Sequence, residues 1–153
     1  MKNLHTFDEF LNENLNERRV SFKGKTKYYD KPREYAKTLN DYKSLVSQLK
    51  GKTPIQISEI IEKWVLENEN KIADNICGID EVYINCEHSS EIVGQILSDA
   101  KITHTLQVGN INGQSHAWGK IDNVIIDPTK DQFPNISVDD YEQDIYWEKT
   151  FTF

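Results

Sequence analysis

At 153 residues with 37% hydrophobic content, the chain is long enough for one domain with a buried core, and it holds no apolar run approaching the roughly 20 residues that span a bilayer. Its two cysteines, Cys77 and Cys86, argue against a disulfide framework and for reduced thiols. The formal charge of -7 is unevenly placed, with 11 Lys and Arg against 7 Asp and Glu in residues 1–50 and 7 against 18 in residues 51–153.

In chain order, the first pattern is Phe7, Phe10, Leu11 and Leu15 at helical spacing, with Thr6 and Glu9 placed as a capping box. Met1-Lys2-Asn3-Leu4-His5 before it lacks the apolar stretch of a secretory signal, so a soluble, cytoplasmic protein is expected. Asn12, Asn14 and Asn16 then weaken helix propensity. Between Arg18 and Lys37 the chain turns basic: Arg18, Arg19, Lys23, Lys25, Lys27, Lys31, Arg33 and Lys37 face only Asp30 and Glu34. No nucleic-acid motif accompanies this charge, so it reads as a solvated arm or a face neutralising the acidic half, not a nucleic-acid contact. Residues 1–30 are therefore expected to form an amphipathic helix and basic linker, and residues 31–153 the folded domain.

The spacing of Tyr35, Leu39, Tyr42, Leu45, Val46 and Leu49 predicts one helix from Pro32 to Leu49, ending before Gly51. Another is predicted from Ser58 through Leu66, fading in Glu67-Asn68-Glu69-Asn70. A third places Ile92, Val93, Ile96, Leu97 and Ala100 on one face between Ser89 and Ala100. Strands are predicted at Thr105–Asn110, Ser115–Ile121 and Val124–Asp127, with an edge strand in Asp144–Phe153. The expected class is α+β, with N-terminal helices and a nucleophile-bearing helix packed on a small antiparallel sheet.

Two turns set the geometry of the candidate site. Asn112-Gly113 is a strong type I′ hairpin signal that pairs Ile111 with Gln114, and therefore Gly109 with His116 and Gln107 with Trp118. Asp122-Asn123 pairs Ile121 with Val124, which sets Trp118 opposite Asp127. With side chains alternating faces, His116, Trp118 and Asp127 share one face, Gln107 lies beside them, and Gly109 leaves room for the imidazole. His116 and Asp127 then stand as diagonal neighbours about 7–8 Å apart at the backbone, a gap their side chains span.

Cys86 becomes the first residue of its helix if Asn85 caps it. A helix N-terminus and a nearby imidazolium favour thiolate, and the amide freed there is a natural oxyanion donor. Asp127 would orient His116 as the third member of a triad. The expected chemistry is a thiol-dependent hydrolase or acyltransferase working through a thioester, with Cys86 as nucleophile, His116 as base and then acid, and Asp127 as orienting carboxylate. Trp118 serves as a wall of the site or as packing.

These motifs resemble the papain-like and transglutaminase-like cysteine enzyme superfamily, in which Cys at a helix start, His on a strand and Asp on the next strand follow in that order. The resemblance covers residues 76–133, through Asn85-Cys86-Glu87-His88-Ser89-Ser90-Glu91-Ile92-Val93, Ser115-His116-Ala117-Trp118, and Ile126-Asp127-Pro128-Thr129 with Asp131-Gln132-Phe133. It implies action on a peptide, isopeptide or side-chain amide bond. The Gln that many papain relatives carry just before the nucleophile has no counterpart, leaving Tyr83, Asn85 and Gln107 as candidate substrate-binding or oxyanion groups. Residues Met1 to Glu13 separately resemble the capsid-targeting peptides of T4-like phage internal proteins. That resemblance implies cleavage by a prohead protease after Glu13 or Glu17, within Leu11-Asn12-Glu13 or Leu15-Asn16-Glu17, and packaging in a phage head after synthesis in a bacterial host.

Neither a cofactor nor a metal is expected, because Cys77, Cys86, His88 and His104 lack the close ligand spacing of structural zinc sites. The expected partner is a protein or peptide substrate, with no membrane. The competing reading is a non-enzymatic virion or host-interacting protein on a catalytically silent scaffold of the same fold.

Overall fold

Proline fixes φ and lacks an N–H, which suits a first helical turn. Helix α1 (Pro32–Ala36) starts on one in the computed structural model, which describes residues 31–76, 85–133 and 135–153. The expected N-terminal helix and linker at residues 1–30, the sites at Glu13 and Glu17, Cys77 and Tyr83 lie outside the described residues.

The single helix predicted over residues 32–49 is instead two, α1 and α2 (Tyr42–Gln48). Thr38 accounts for the break. Its hydroxyl and its amide both donate to the carbonyl of Tyr35, at 2.6 and 2.9 Å, so the hydroxyl competes with the helix ladder. Asp41 then accepts the indole N–H of Trp64 at 3.0 Å, tying the break to the next helix.

That helix, α3 (Pro54–Asp74), runs for 21 residues and extends the predicted element at both ends. Thr53 and Gln56 form a capping box that starts it before Ser58. Its buried stripe passes through the polar Glu67–Asn70 run to Ile72 and Ala73. Asn68 is accommodated there by donating its side-chain amide to the Trp64 carbonyl at 2.8 Å. Helix α4 (Cys86–Asp99) is capped by Asn85, whose Oδ1 accepts the His88 amide at 3.0 Å.

Strands β1 (His104–Ile111), β2 (Gln114–Ile121), β3 (Val124–Ile126) and β4 (Ile145–Phe151) form an antiparallel sheet in the order β3-β2-β1-β4. Asn112 and Gly113 sit at φ 51 and 80°, as a type I′ turn demands, and Asp122 at φ 51°. The register follows from these turns: Gly109 opposes His116, Gln107 opposes Trp118, and Ile121 opposes Val124. A 3-10 turn (Lys130–Gln132) and α5 (Val138–Glu142) connect β3 to the edge strand β4.

Both faces of the sheet are covered. Helix α4 packs on one, where a Cβ at Gly119 would fall 2.9 Å from Val93 Cγ1 and one at Gly94 2.9 Å from Leu106 Cδ1. These two glycines therefore set how closely helix and sheet approach. The main core joins the helices to Ile121 and Ile126 at the β3 edge. A smaller cluster on the α4 side holds Cys86, Leu106, Val108, Ala117 and Trp147, and another on the opposite face holds Ile111, Trp118, Phe133 and Tyr141. The class is α+β, and among the described residues no helix is long and apolar enough to cross a membrane.

Candidate active site

Asp127 follows directly on β3, and its carboxylate accepts four hydrogen bonds. Thr129 supplies two to Oδ1, from its amide at 3.0 Å and its hydroxyl at 2.9 Å. Oδ2 is bonded to His116 Nε2 at 2.7 Å and accepts from the Tyr141 hydroxyl at 2.8 Å. Burial and the charge of Asp127 push the Tyr141 hydroxyl well above the usual phenol range, so it stays a donor. Every oxygen lone pair faces a donor, so the carboxylate acts here as an acceptor only. The network therefore assigns the imidazole proton to Nε2 and leaves a lone pair on Nδ1. That Nδ1 is buried without a hydrogen-bond partner, the state in which a neutral imidazole can take a proton.

His116 and Asp127 are each 1% exposed. The imidazole is walled by Phe133, edge-on at 4.8 Å between centroids, by Trp118 at 5.9 Å, and by Tyr141 at 6.3 Å. Glu62 of α3 holds the same site from behind, accepting the Asp127 amide at 2.8 Å and the Lys130 ammonium at 3.0 Å. Burial lifts the Glu62 carboxyl above its ordinary value, against the lowering pull of those two donors.

Cys86 reaches β2 from the α4 side. Strand β3 ends at Ile126, opposite Gly119, so the β2 edge at Ala117 has no β3 partner. The Cys86 sulfur occupies that edge and accepts from the Ala117 amide, one residue along from His116, and also from its own amide. The sequence pattern predicts a thiol shifted toward thiolate; the structure reverses that expectation. Burial, then Glu87 and Asp127, outweigh the two amides and push the thiol up to about 12. Cys86 is 8% exposed and bonds the Ala117 amide, while His116 Nδ1 has no bond from it.

The remaining predicted groups are placed as follows. Trp118 is fully buried and donates its indole N–H to Gln107 Oε1 at 2.9 Å. Gln107 in turn donates to Glu148 at 2.8 Å, so its amide is engaged on the face opposite the Cys86 cluster. Asn85 is occupied as the α4 cap. Gly109 does not make room for the imidazole: a Cβ there would lie 2.6 Å from the Asp144 carbonyl and 3.1 Å from the Trp118 ring, which fill the space. His104 bonds the Ile102 carbonyl at 2.8 Å and stacks on Phe151. Among the described residues, no three His, Cys, Asp or Glu side chains are grouped to hold a metal ion.

Thr129, Tyr141 and Glu62 carry the site without standing out in the sequence as functional groups. Asp-x-Thr is a local turn signal for the first, whereas Tyr141 and Glu62 lie 14 and 65 residues from Asp127 with no spacing that announces them. No protein-family model matches the chain, and searches of curated proteins and of solved structures return no match.

Proposed function

We propose that this protein is a thiol-dependent hydrolase or acyltransferase with a papain-like or transglutaminase-like arrangement, acting on a peptide, isopeptide or side-chain amide bond. The observation that carries the reading is the anchored pair: Asp127, held by four donors, fixes His116 with its Nδ1 lone pair unengaged, and the Cys86 sulfur rests on the amide of the very next residue. In the proposed reaction, Nδ1 takes the thiol proton as sulfur attacks the carbonyl carbon, forming the C–S bond. Collapse of the tetrahedral species breaks the C–N bond, and Nδ1 returns its proton to the leaving amine. Water, deprotonated by Nδ1, then attacks the thioester carbonyl, the C–S bond breaks to release the acid, and Nδ1 returns the proton to the sulfur; an amine in place of water gives transamidation. Asp127 stabilises the imidazolium formed in each half.

Labelling by iodoacetamide at near-neutral pH, in a Cys77→Ser background so that Cys86 is the single thiol, tests this reading. His116→Ala is expected to slow labelling by about a hundredfold or more, the lower end of acid–base assistance. An unchanged rate overturns the catalytic reading. The alternative, a non-enzymatic virion or host-interacting protein on a silent scaffold, is favoured by one observation: the resting thiol is pushed up to about 12 and bonds an amide instead of the imidazole. Under either reading we propose packaging in a phage head, on the resemblance of residues 1–13. A mature N-terminus beginning after Glu13 or Glu17, read by mass spectrometry of virions, supports it, and an intact N-terminus there overturns it.

A further inference from the structure

We propose that Tyr141 is a positioning residue that sets the basicity of His116 through the oxygen they share. This inference rests on the thiol–imidazole reading above and assigns a part of that site which the Cys, His and Asp motifs do not contain. Tyr141 sits on α5, after the 3-10 turn, and its hydroxyl donates to the same Asp127 Oδ2 that bonds His116 Nε2, at 2.8 and 2.7 Å. Thr129 occupies only Oδ1. The tyrosine ring lies 5.0 Å from Trp118 and 6.3 Å from His116, so packing as well as the hydroxyl fixes its place.

Two donors on one carboxylate oxygen divide its electron density. Each already stabilises the negative charge, so the carboxylate gains less from a neighbouring imidazolium than it would with His116 alone on that oxygen. Removing the Tyr141 hydroxyl leaves Oδ2 to His116, strengthens that bond, and favours the imidazolium. The imidazole then gives up its proton at higher pH, so a smaller fraction of it stands as the free base near neutrality. The other charged or titratable groups around the pair are Glu62 of α3 with Lys130 and Asp131 of the 3-10 turn, and Cys86 with Glu87 on α4. Phe133 and Trp118 present rings to the imidazole. None of these changes in Tyr141→Phe, which deletes a single oxygen.

The test combines Cys86 labelling against pH with proton NMR of the His116 Nε2–H in histidine-15N protein, both in the Cys77→Ser background. Tyr141→Phe is expected to move the midpoint of the His116-dependent labelling profile upward by about half a pH unit or more, and to shift the Nε2–H resonance downfield as its bond shortens. A folded variant with both readouts superimposed on the parent overturns the inference, even if its melting temperature falls, because a purely structural role moves stability alone. Should Tyr141→Phe fail to fold, the parent protein decides. A nuclear Overhauser contact between the Tyr141 hydroxyl proton and His116 Nε2–H is expected from two donors on one oxygen, and its absence overturns the inference. If His116→Ala leaves labelling unchanged, the catalytic reading falls, while the NMR readouts still judge Tyr141 separately.

Discussion

A buried thiol and a buried carboxylate make opposite demands at this site. Asp127 has four donors in place of its water, whereas Cys86 keeps its proton because two amides do not offset burial and two nearby carboxylates. The thiol consequence is measurable in stability. Its ordinary value of 9.0 is raised to about 12 in the fold, so above the ordinary value the unfolded chain binds fewer protons than the folded one, and stability falls as pH rises toward the folded value. Urea denaturation of parent and Cys86→Ala at intervals from about pH 8 to pH 11 is expected to show a steeper alkaline decline in the parent. The Tyr42 and Tyr141 hydroxyls, also raised, act in the same direction in both proteins and cancel in the difference. Parallel declines would show that the thiol is not held protonated. For the carboxylate, Asp127→Asn turns one acceptor into a donor facing two existing donors. A loss of about 2–3 kcal/mol is expected in the same assay, the scale of a broken charge-assisted bond plus an unmet buried donor.

At the level of elements, the contact between α4 and the sheet is what brings Cys86 to the strand carrying His116, and two glycines set its spacing. Gly119→Ala would press a methyl onto Val93 Cγ1 at 2.9 Å. That γ carbon belongs to a β-branched side chain with one preferred helical rotamer, so the backbone must move, at about 1–3 kcal/mol. Gly94→Ala meets Leu106 Cδ1 at the same 2.9 Å, but the obstacle is the end of a longer side chain, and the helix gains about 1 kcal/mol from losing a glycine. Thermal melts should therefore rank Gly119→Ala well below Gly94→Ala, with the latter near the parent; the reverse order would contradict this packing. The hairpins were legible in the sequence because turn chemistry is local: Asn112-Gly113 and Asp122 dictate a register that the strands then follow. The α4 cap at Asn85 was legible for the same reason. The break after α1 was not, since Thr38 interrupts an otherwise continuous apolar stripe through a side-chain bond that periodicity ignores. Nor was the thiol's protonation legible, because burial and the charges of Glu87 and Asp127 at the sulfur depend on how α4 docks on the sheet.

Across the whole molecule, α3 is the element that joins the helical core to the β3 edge of the sheet. Its Ser58 hydroxyl donates to the Ile125 carbonyl at 2.9 Å, and one turn on, Glu62 accepts from the Asp127 amide and Lys130. Asp127 is thus held at its backbone by α3 and at its carboxylate by Thr129, Tyr141 and His116. A long-range tie of this kind arises only once the chain is folded, which is why no window of sequence around Asp127 contains it. Glu62 is a costly choice for the role, because burial raises its carboxyl above the ordinary 4.5 despite the two donors. The unfolded chain then ionises this group at lower pH than the folded one, so the Glu62 contribution is fully present below the ordinary value and is lost as pH rises through the folded value. Glu62→Gln keeps an acceptor for the Asp127 amide and removes the titration. The stability of the parent relative to Glu62→Gln is therefore expected to be greatest near pH 4 and to decline toward pH 7, followed as urea midpoints across that range. A difference that stays constant with pH, or grows toward pH 7, would mean that the ion pair with Lys130 outweighs burial and that α3 holds Asp127 by charge instead of by a neutral-compatible hydrogen bond.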